Sequence, residues 1–147
     1  MKRAIVIDID GVIFDTAFIL EEAEHLGLKG NSKWRYFYEN CNSDRVDIMP
    51  NIKKFLDTFP RDYYYLIIST GRNWKCNVET DKKLISYGII SDRMFMRMDE
   101  DLRPAEEVKR EHLKTIMKEF EIICFVDDNI ENCEMAKDLG ILALRRV

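Results

Sequence analysis

Four short apolar runs, at residues 3–9, 63–68, 95–98 and 122–126, alternate along this chain with longer segments whose apolar residues recur at helical spacing. That alternation is the pattern of βαβ units, in which strands lie parallel and helices cover both faces of the sheet. The first and last runs are apolar nearly throughout, as strands buried on both faces require. The expected fold is α/β: a three-layer αβα sandwich around a mostly parallel, Rossmann-like sheet.

Between the strands, Ile52, Phe55, Leu56 and Phe59 follow the i, i+3, i+4, i+7 rule of an amphipathic helix. A second helix is expected over 78–87, closed by Gly88. A third opens near Pro104, with Val108, Leu113, Ile116, Met117 and Phe120 as its apolar stripe. A fourth runs over 130–139 and leads to a short strand at 141–144. Residues 15–50 form a polar and aromatic insertion, with a short helix near 18–25 and the cluster Trp34, Arg35, Tyr36, Phe37, Tyr38. A chain of 147 residues suits one domain, residues 1–147, with 15–50 as a small cap within it.

Composition excludes several classes. No run approaches the ~20 apolar residues of a membrane-spanning helix. The start of the chain lacks the features of a secretory signal, so a cytoplasmic location is expected. Cys41, Cys76, Cys124 and Cys133 form no CxxC pair, which suggests a reducing compartment and no structural zinc. The net charge of −4 lacks the basic footprint of a duplex-coating protein, so any grip on nucleic acid must be local.

The chemistry concentrates where strands stop. Asp8, Asp10 and Gly11 follow the first, Ser69 to Arg72 the second, and Asp127, Asp128 and Asn129 the fourth. In open α/β sheets ligands bind outside the carboxyl ends of the strands, so three distant segments are expected to converge. Regular β alternation would put Asp8 and Asp10 on one face, with Gly11 allowing a sharp turn. Alone, such a pair can be a solvated turn; the second acidic pair changes that weighing. Four carboxylates at one edge repel unless a cation neutralises them, and oxygen ligands suit Mg²⁺. A phosphate monoester would also need positive charge, for which Mg²⁺, Arg72 and Lys109 are at hand, with a hydroxyl from Ser69 or Thr70.

These residues resemble the haloacid dehalogenase-like phosphatases over nearly the whole chain, through DIDGV at 8–12, STGR at 69–72, Lys109 and VDDN at 126–129. The resemblance implies a Mg²⁺-dependent phosphomonoesterase. Asp8 would be the nucleophile that forms an aspartyl-phosphate, and Asp10 the general acid and then base. Ser69 or Thr70 would bind phosphoryl oxygens, and Lys109 would hold the phosphate and Asp8. Mg²⁺ would sit on Asp8, the Asp10 backbone carbonyl and one or both of Asp127 and Asp128. Pump-type ATPases of that superfamily carry Thr at the position of Asp10, so Asp here implies rapid hydrolysis. Asn129 suits a helix cap.

A closer similarity is to the phosphatase domain of polynucleotide kinase/phosphatase. It rests on the insertion segment 36–50, on Asp101-x-Arg103, and on Val108, Lys109 and Glu111; the spacing also favours Lys109 over Arg110. The similarity implies removal of 3′-phosphates from nucleic-acid ends. Arg35, Arg72, Lys75 and Arg103 would then grip backbone phosphates, Trp34, Tyr36 or Trp74 would stack on a base, and Gly11 and Gly71 would border the substrate. The insertion is longer than in that relative, and Glu106 and Glu107 replace its aspartates. A nucleoside monophosphate phosphatase is the alternative, and an inactive module binding phosphorylated ends a third. With so small a cap, a neighbouring subunit could serve as lid, so a homo-oligomer is conceivable.

Overall fold

The computed structural model describes residues 1–147. Its elements are β1 (Lys2–Ile7), β2 (Phe14–Asp15), α1 (Ala17–His25), α2 (Asn31–Asn40), β3 (Asp47–Ile48), α3 (Ile52–Asp57), β4 (Tyr64–Asn73), α4 (Asn77–Ser86), β5 (Arg93–Arg97), α5 (Ala105–Met117), β6 (Phe120–Asp127), α6 (Ile130–Asp138) and β7 (Ala143–Arg145). Five of the strands form a parallel sheet in the order β5-β4-β1-β6-β7, while β2 and β3 pair separately. The expected α/β sandwich is what forms.

Strand alternation sorts the core into two layers. Ala4 and Val6 of β1 and Ile67 of β4 pack with Leu113, Ile116, Met135 and Ala136 of α5 and α6. Ile5, Ile7 and Ile68 face the other way, against Ile19, Phe37, Ile52 and Leu84 of α1 to α4. The insertion therefore belongs to the second layer, and Gly88, at φ +76, closes α4 as expected.

Ile7 is paired with both Ile68 and Val126. One residue further along, Asp8, Ser69 and Asp127 stand side by side at the carboxyl edge. This is also the topological switch point: the chain builds β4 and β5 on one side of β1, then crosses to build β6 and β7 on the other.

Four local expectations change. Phe120, expected on the stripe of the third helix, instead opens β6, since α5 ends at Met117. β1 ends at Ile7, before the acids. β4 runs on through Ser69–Arg72 to Asn73, regaining its pairing with Arg97 after an irregularity, so that motif lies in a strand rather than beyond one. Residues 31–40, aromatic but without a clean apolar period, form the helix α2, which is anchored by its buried Phe37.

Candidate active site

Asp8 continues the alternation of Ala4 and Val6 and so points toward α5. There the Lys109 ammonium lies 3.0 Å from Asp8 Oδ1 and 2.6 Å from Asp127 Oδ2. All three side chains are essentially buried. Asp127 also accepts the Asn129 main-chain N–H at 3.0 Å and the Asn132 amide at 3.3 Å. Asn129 caps α6 as expected, accepting the Asn132 N–H at 2.9 Å. Burial pushes the Asp8 carboxyl well above its usual range, Lys109 opposes that, and the neighbouring carboxylates add to it. Burial would lower Lys109, yet Asp8 and Asp127 together hold it above its ordinary value. Arg110, the competitor in sequence, pairs on the surface with Glu106 at 3.5 Å.

Asp10 does not share this environment. After Asp8 the chain turns, with the main-chain N–H groups of Val12, Ile13 and Phe14 all directed at the Ile9 carbonyl. Asp10 therefore meets the opposite layer: Arg72 Nη2 is 2.8 Å from Oδ1, Arg72 Nε 3.0 Å from Oδ2, and Thr16 Oγ1 3.1 Å from Oδ1. The expectation that Asp8 and Asp10 share one face is thus corrected, because β geometry stops between them.

Arg72 itself is 1% exposed. Its remaining donors reach Asn42 Oδ1 at 2.7 Å, Thr80 Oγ1 at 3.2 Å and the Cys41 carbonyl at 3.3 Å. Burial works against the guanidinium's charge, but Asp10 more than offsets it. The expected role of Arg72 as a phosphate grip is therefore corrected: all its donors are committed to protein, and it joins Asp10 to the insertion.

Asp8, Asp127 and Asp128 offer carboxylate oxygens within 4.8 Å of one another. Asp128 is exposed and lies against Gly11, whose φ is +79; a Cβ there would fall 2.2 Å from Asp128 Oδ2. Only glycine permits that approach. Two cations, Lys109 and Arg72, face four carboxylates, leaving a deficit equal to one divalent ion. The donor set, all oxygen and uncompensated by two charges, fits Mg²⁺. Of the two later acids, Asp127 is shared with Lys109, whereas Asp128 is exposed.

Of the two candidate hydroxyls, Ser69 shares a face with Ile67 and meets α5. His112 Nε2 lies 3.2 Å from the Met96 carbonyl, which can only accept, so Nε2 carries the proton and Nδ1 accepts from Ser69 Oγ at 2.8 Å. Ser69 is thereby committed to the protein interior. Thr70 Oγ1 accepts the Arg72 N–H at 3.1 Å, and its own proton remains available.

The outer candidates are scattered. Gly71 accepts Arg97 Nε at 3.2 Å through its carbonyl. Lys75 pairs with Asp99 at 2.8 Å, and Arg103 with Asp101 at 2.7 Å and Glu111 at 2.6 Å, so the expected phosphate grips of both are already held by acids. Trp34 is half exposed and packs by its edge on Phe37, and Arg35 is exposed on α2. Thr16, Asn42, Thr80, His112 and Asn132, which hold the central groups, were not expected from sequence. His112 and Asn132 are polar residues on helix faces that turn inward, whereas Thr16 and Asn42 lie between elements and carry no local signal.

Residues 2–145 match the family described as the polynucleotide kinase PNKP phosphatase domain. The chain belongs to that family. It is a phosphatase of the haloacid dehalogenase superfamily, and solved structures share its fold. A chain of the Pnkp1/Rnl/Hen1 complex superposes with a TM-score of 0.77 at 19% identity, over 99% of this chain and 45% of that one. A haloacid dehalogenase-like hydrolase from Streptococcus pneumoniae gives 0.69 at 16%, over 98% and 84%. The tungstate-bound class C acid phosphatase of Bacillus anthracis gives 0.69 at 17%, over 95% and 62%. This phosphatase spans less than half of the Pnkp1-complex chains. Among curated proteins none matches its sequence.

Proposed function

We propose that this phosphatase works through an aspartyl-phosphate on Asp8, depends on Mg²⁺, and removes 3′-phosphates from polynucleotide ends. The carrying observation is the division of labour between two carboxylates two residues apart. Asp8 is dry and held by a lysine shared with Asp127, whereas Asp10 is partly open and oriented by Arg72 and Thr16.

In this reading the Asp8 oxygen attacks phosphorus while Lys109 favours the ionised form of that carboxylate and meets the charge growing on the phosphoryl oxygens. Asp10, held at the site's edge, gives its proton to the departing 3′-oxygen and then takes one from the water that hydrolyses the acyl phosphate. Thr70 supplies a hydroxyl donor to a phosphoryl oxygen. A Mg²⁺ ion held by Asp8, Asp127 or Asp128 and the Asp10 carbonyl would supply Lewis-acid stabilisation of the phosphoryl charge. The substrate class rests on the family and on its structural neighbours, which include the Pnkp1/Rnl/Hen1 RNA repair complex.

Phosphate release from 3′-phosphorylated oligonucleotides, 5′-phosphorylated oligonucleotides and mononucleotides tests the proposal. Activity is expected on the first alone, to vanish in EDTA, and to fall roughly 10⁶-fold in Asp8→Asn, the scale of losing a nucleophile. Turnover of mononucleotides only would overturn the substrate assignment, and undiminished activity in Asp8→Asn the mechanism.

A further inference from the structure

A polynucleotide end carries a second phosphate, one nucleotide back from the terminal monoester, and carries it whatever the base sequence. Three of the cations expected from sequence to meet backbone phosphate are spent on acids: Arg72 on Asp10, Lys75 on Asp99, and Arg103 on Asp101 and Glu111. Two arginines that sequence did not single out stand free at the rim of the site.

β7 pairs with β6 so that Arg145 lies beside Asp127, and the Arg146 main-chain N–H donates to the Asp127 carbonyl at 2.9 Å. The two side chains then part. Arg145 follows the alternation of Ala143, which packs with the α5–α6 layer, and its Nε donates to the Asp128 main-chain carbonyl at 3.3 Å. Arg146 crosses toward the insertion, where its Nη2 donates to the Pro50 carbonyl just ahead of α3. The corner where Asp128 meets Gly11 is thus flanked by two guanidiniums.

Neither guanidinium is paired with a carboxylate. Other surface arginines, Arg45, Arg61, Arg93 and Arg110 among them, each meet an Asp or Glu within 4.0 Å. Arg145 is exposed, and both of its Nη groups lack a partner; Arg146 is half-buried, and its Nε is enclosed without an acceptor. In a chain with 27 acidic against 23 basic residues, two uncompensated cations side by side at the site's rim leave room for an anion that arrives from outside. β7 lies two strands from β1, about 10 Å away. That is too far to touch a phosphoryl group on Asp8, and it suits the next phosphate along the strand.

We propose that Arg145, with the charge of Arg146 beside it, binds the internucleotide phosphate adjoining the terminal 3′-phosphate and so selects a polynucleotide end over a lone nucleotide. The two unesterified oxygens of a phosphodiester match two parallel N–H donors of one guanidinium. The contact reads backbone alone and carries no base preference. It rests on the 3′-phosphatase reading above and adds the residue that recognises the chain.

Two 3′-phosphorylated dinucleotides test this at low salt with Mg²⁺ present, one with a natural internucleotide phosphate and one with an uncharged methylphosphonate at that linkage. In the parent, KM should be roughly 10-fold higher for the methylphosphonate with kcat little changed, the scale of one charge-assisted contact. Arg145→Gln should show that same rise on the natural dinucleotide and no further rise on the neutral one, and Arg145→Lys should recover part of it. The salt dependence of KM on the natural dinucleotide should also flatten in Arg145→Gln, by a log–log slope of roughly 0.7. Because Arg145 is exposed, both variants should keep the parent's Tm. Equal KM for the two dinucleotides in the parent, or an equal loss on both in Arg145→Gln, overturns the proposal. Should the parent turn over neither dinucleotide while hydrolysing p-nitrophenyl phosphate, the 3′-end reading itself falls, and this proposal with it.

Discussion

Lys109 and Arg72 are both almost fully buried, both sit at the carboxyl edge of the sheet, and each holds one of the two acids of the DIDGV segment; they nonetheless do opposite things. Lys109 enters from the α5 layer as a compact ammonium and is shared between Asp8 and Asp127. One positive charge there answers two negative ones, with exposed Asp128 nearby. Arg72 rises from β4 on the other face, and its fork is filled by one carboxylate and three neutral acceptors. The lysine side is electrostatically incomplete and so has use for a cation and a phosphate. The arginine side is closed and works as scaffold. Guanidinium geometry suits a fixed multi-partner clasp, and an ammonium point charge suits a site whose other occupants come and go.

The sharpest way to break this comparison is Lys109→Met, which keeps length and apolar volume but removes the charge. Activity should fall roughly 10³-fold, on the scale of losing a charge-stabilising group. Stability at neutral pH should drop by about 3 kcal/mol, because Asp8 and Asp127 are left buried without a counter-charge. Urea denaturation with and without millimolar Mg²⁺ carries the comparison: the variant should recover part of that loss when Mg²⁺ is added. A variant as stable as the parent in EDTA would show that the lysine side is not short of positive charge.

Arg72→Lys asks the reverse question. The charge remains, but a single ammonium cannot serve Asp10, Asn42, Thr80 and the Cys41 carbonyl together. A stability loss of about 2–3 kcal/mol is expected, and Mg²⁺ should not restore it. Because Arg72 positions Asp10 instead of binding phosphate, kcat should fall roughly 10²-fold with KM little changed. A rise in KM with kcat intact would return Arg72 to the substrate.

The α5 layer also carries a pH response. Burial holds His112 neutral in the fold, its pKa lowered to about 4, whereas an exposed histidine titrates near ~6.5. The folded state therefore takes up a proton less readily than the unfolded one. The stability that neutral His112 contributes is complete above pH ~6.5 and is lost as pH falls from there toward about 4. The loss should reach at most ~3 kcal/mol, and Tm measured from pH 7 to 4.5 should fall less steeply in His112→Gln than in the parent.

What could be read in advance divides along the same line. Strand ends rich in acids announce themselves once there are two of them, because apolar runs stopping at both Asp8 and Asp127 gather carboxylates at one edge, and α5 follows from the stripe of Val108, Leu113 and Ile116. Lys109 could be chosen over Arg110 because a motif fixed its spacing. The arginine side was opaque. Arg72 is buried only because Cys41, Asn42 and Thr80 arrive from elsewhere in the chain, and no local pattern encodes partners that distant. Helix α2 was missed for a related reason: its ten residues lack a clean apolar stripe, and Phe37 is the one buried among them.

The smallest expected effect separates two adjacent hydroxyls. Ser69 and Thr70 are equivalent by composition and opposite by alternation, Ser69 facing α5 and Thr70 the insertion layer. Ser69→Ala removes the donor to His112 Nδ1, leaving a buried acceptor unsatisfied, which should cost about 1 kcal/mol while kcat/KM stays within roughly twofold. Thr70→Val leaves His112 alone but takes the acceptor from the buried Arg72 main-chain N–H, so its stability cost should be comparable, about 1 kcal/mol, while kcat falls roughly 10-fold or more. Steady-state kinetics beside thermal denaturation for the two variants reads this directly. If Ser69→Ala were instead the catalytically impaired one, the phosphoryl group would lie on the Lys109 face of β4 alone, and the division of work between the two faces would have to be redrawn.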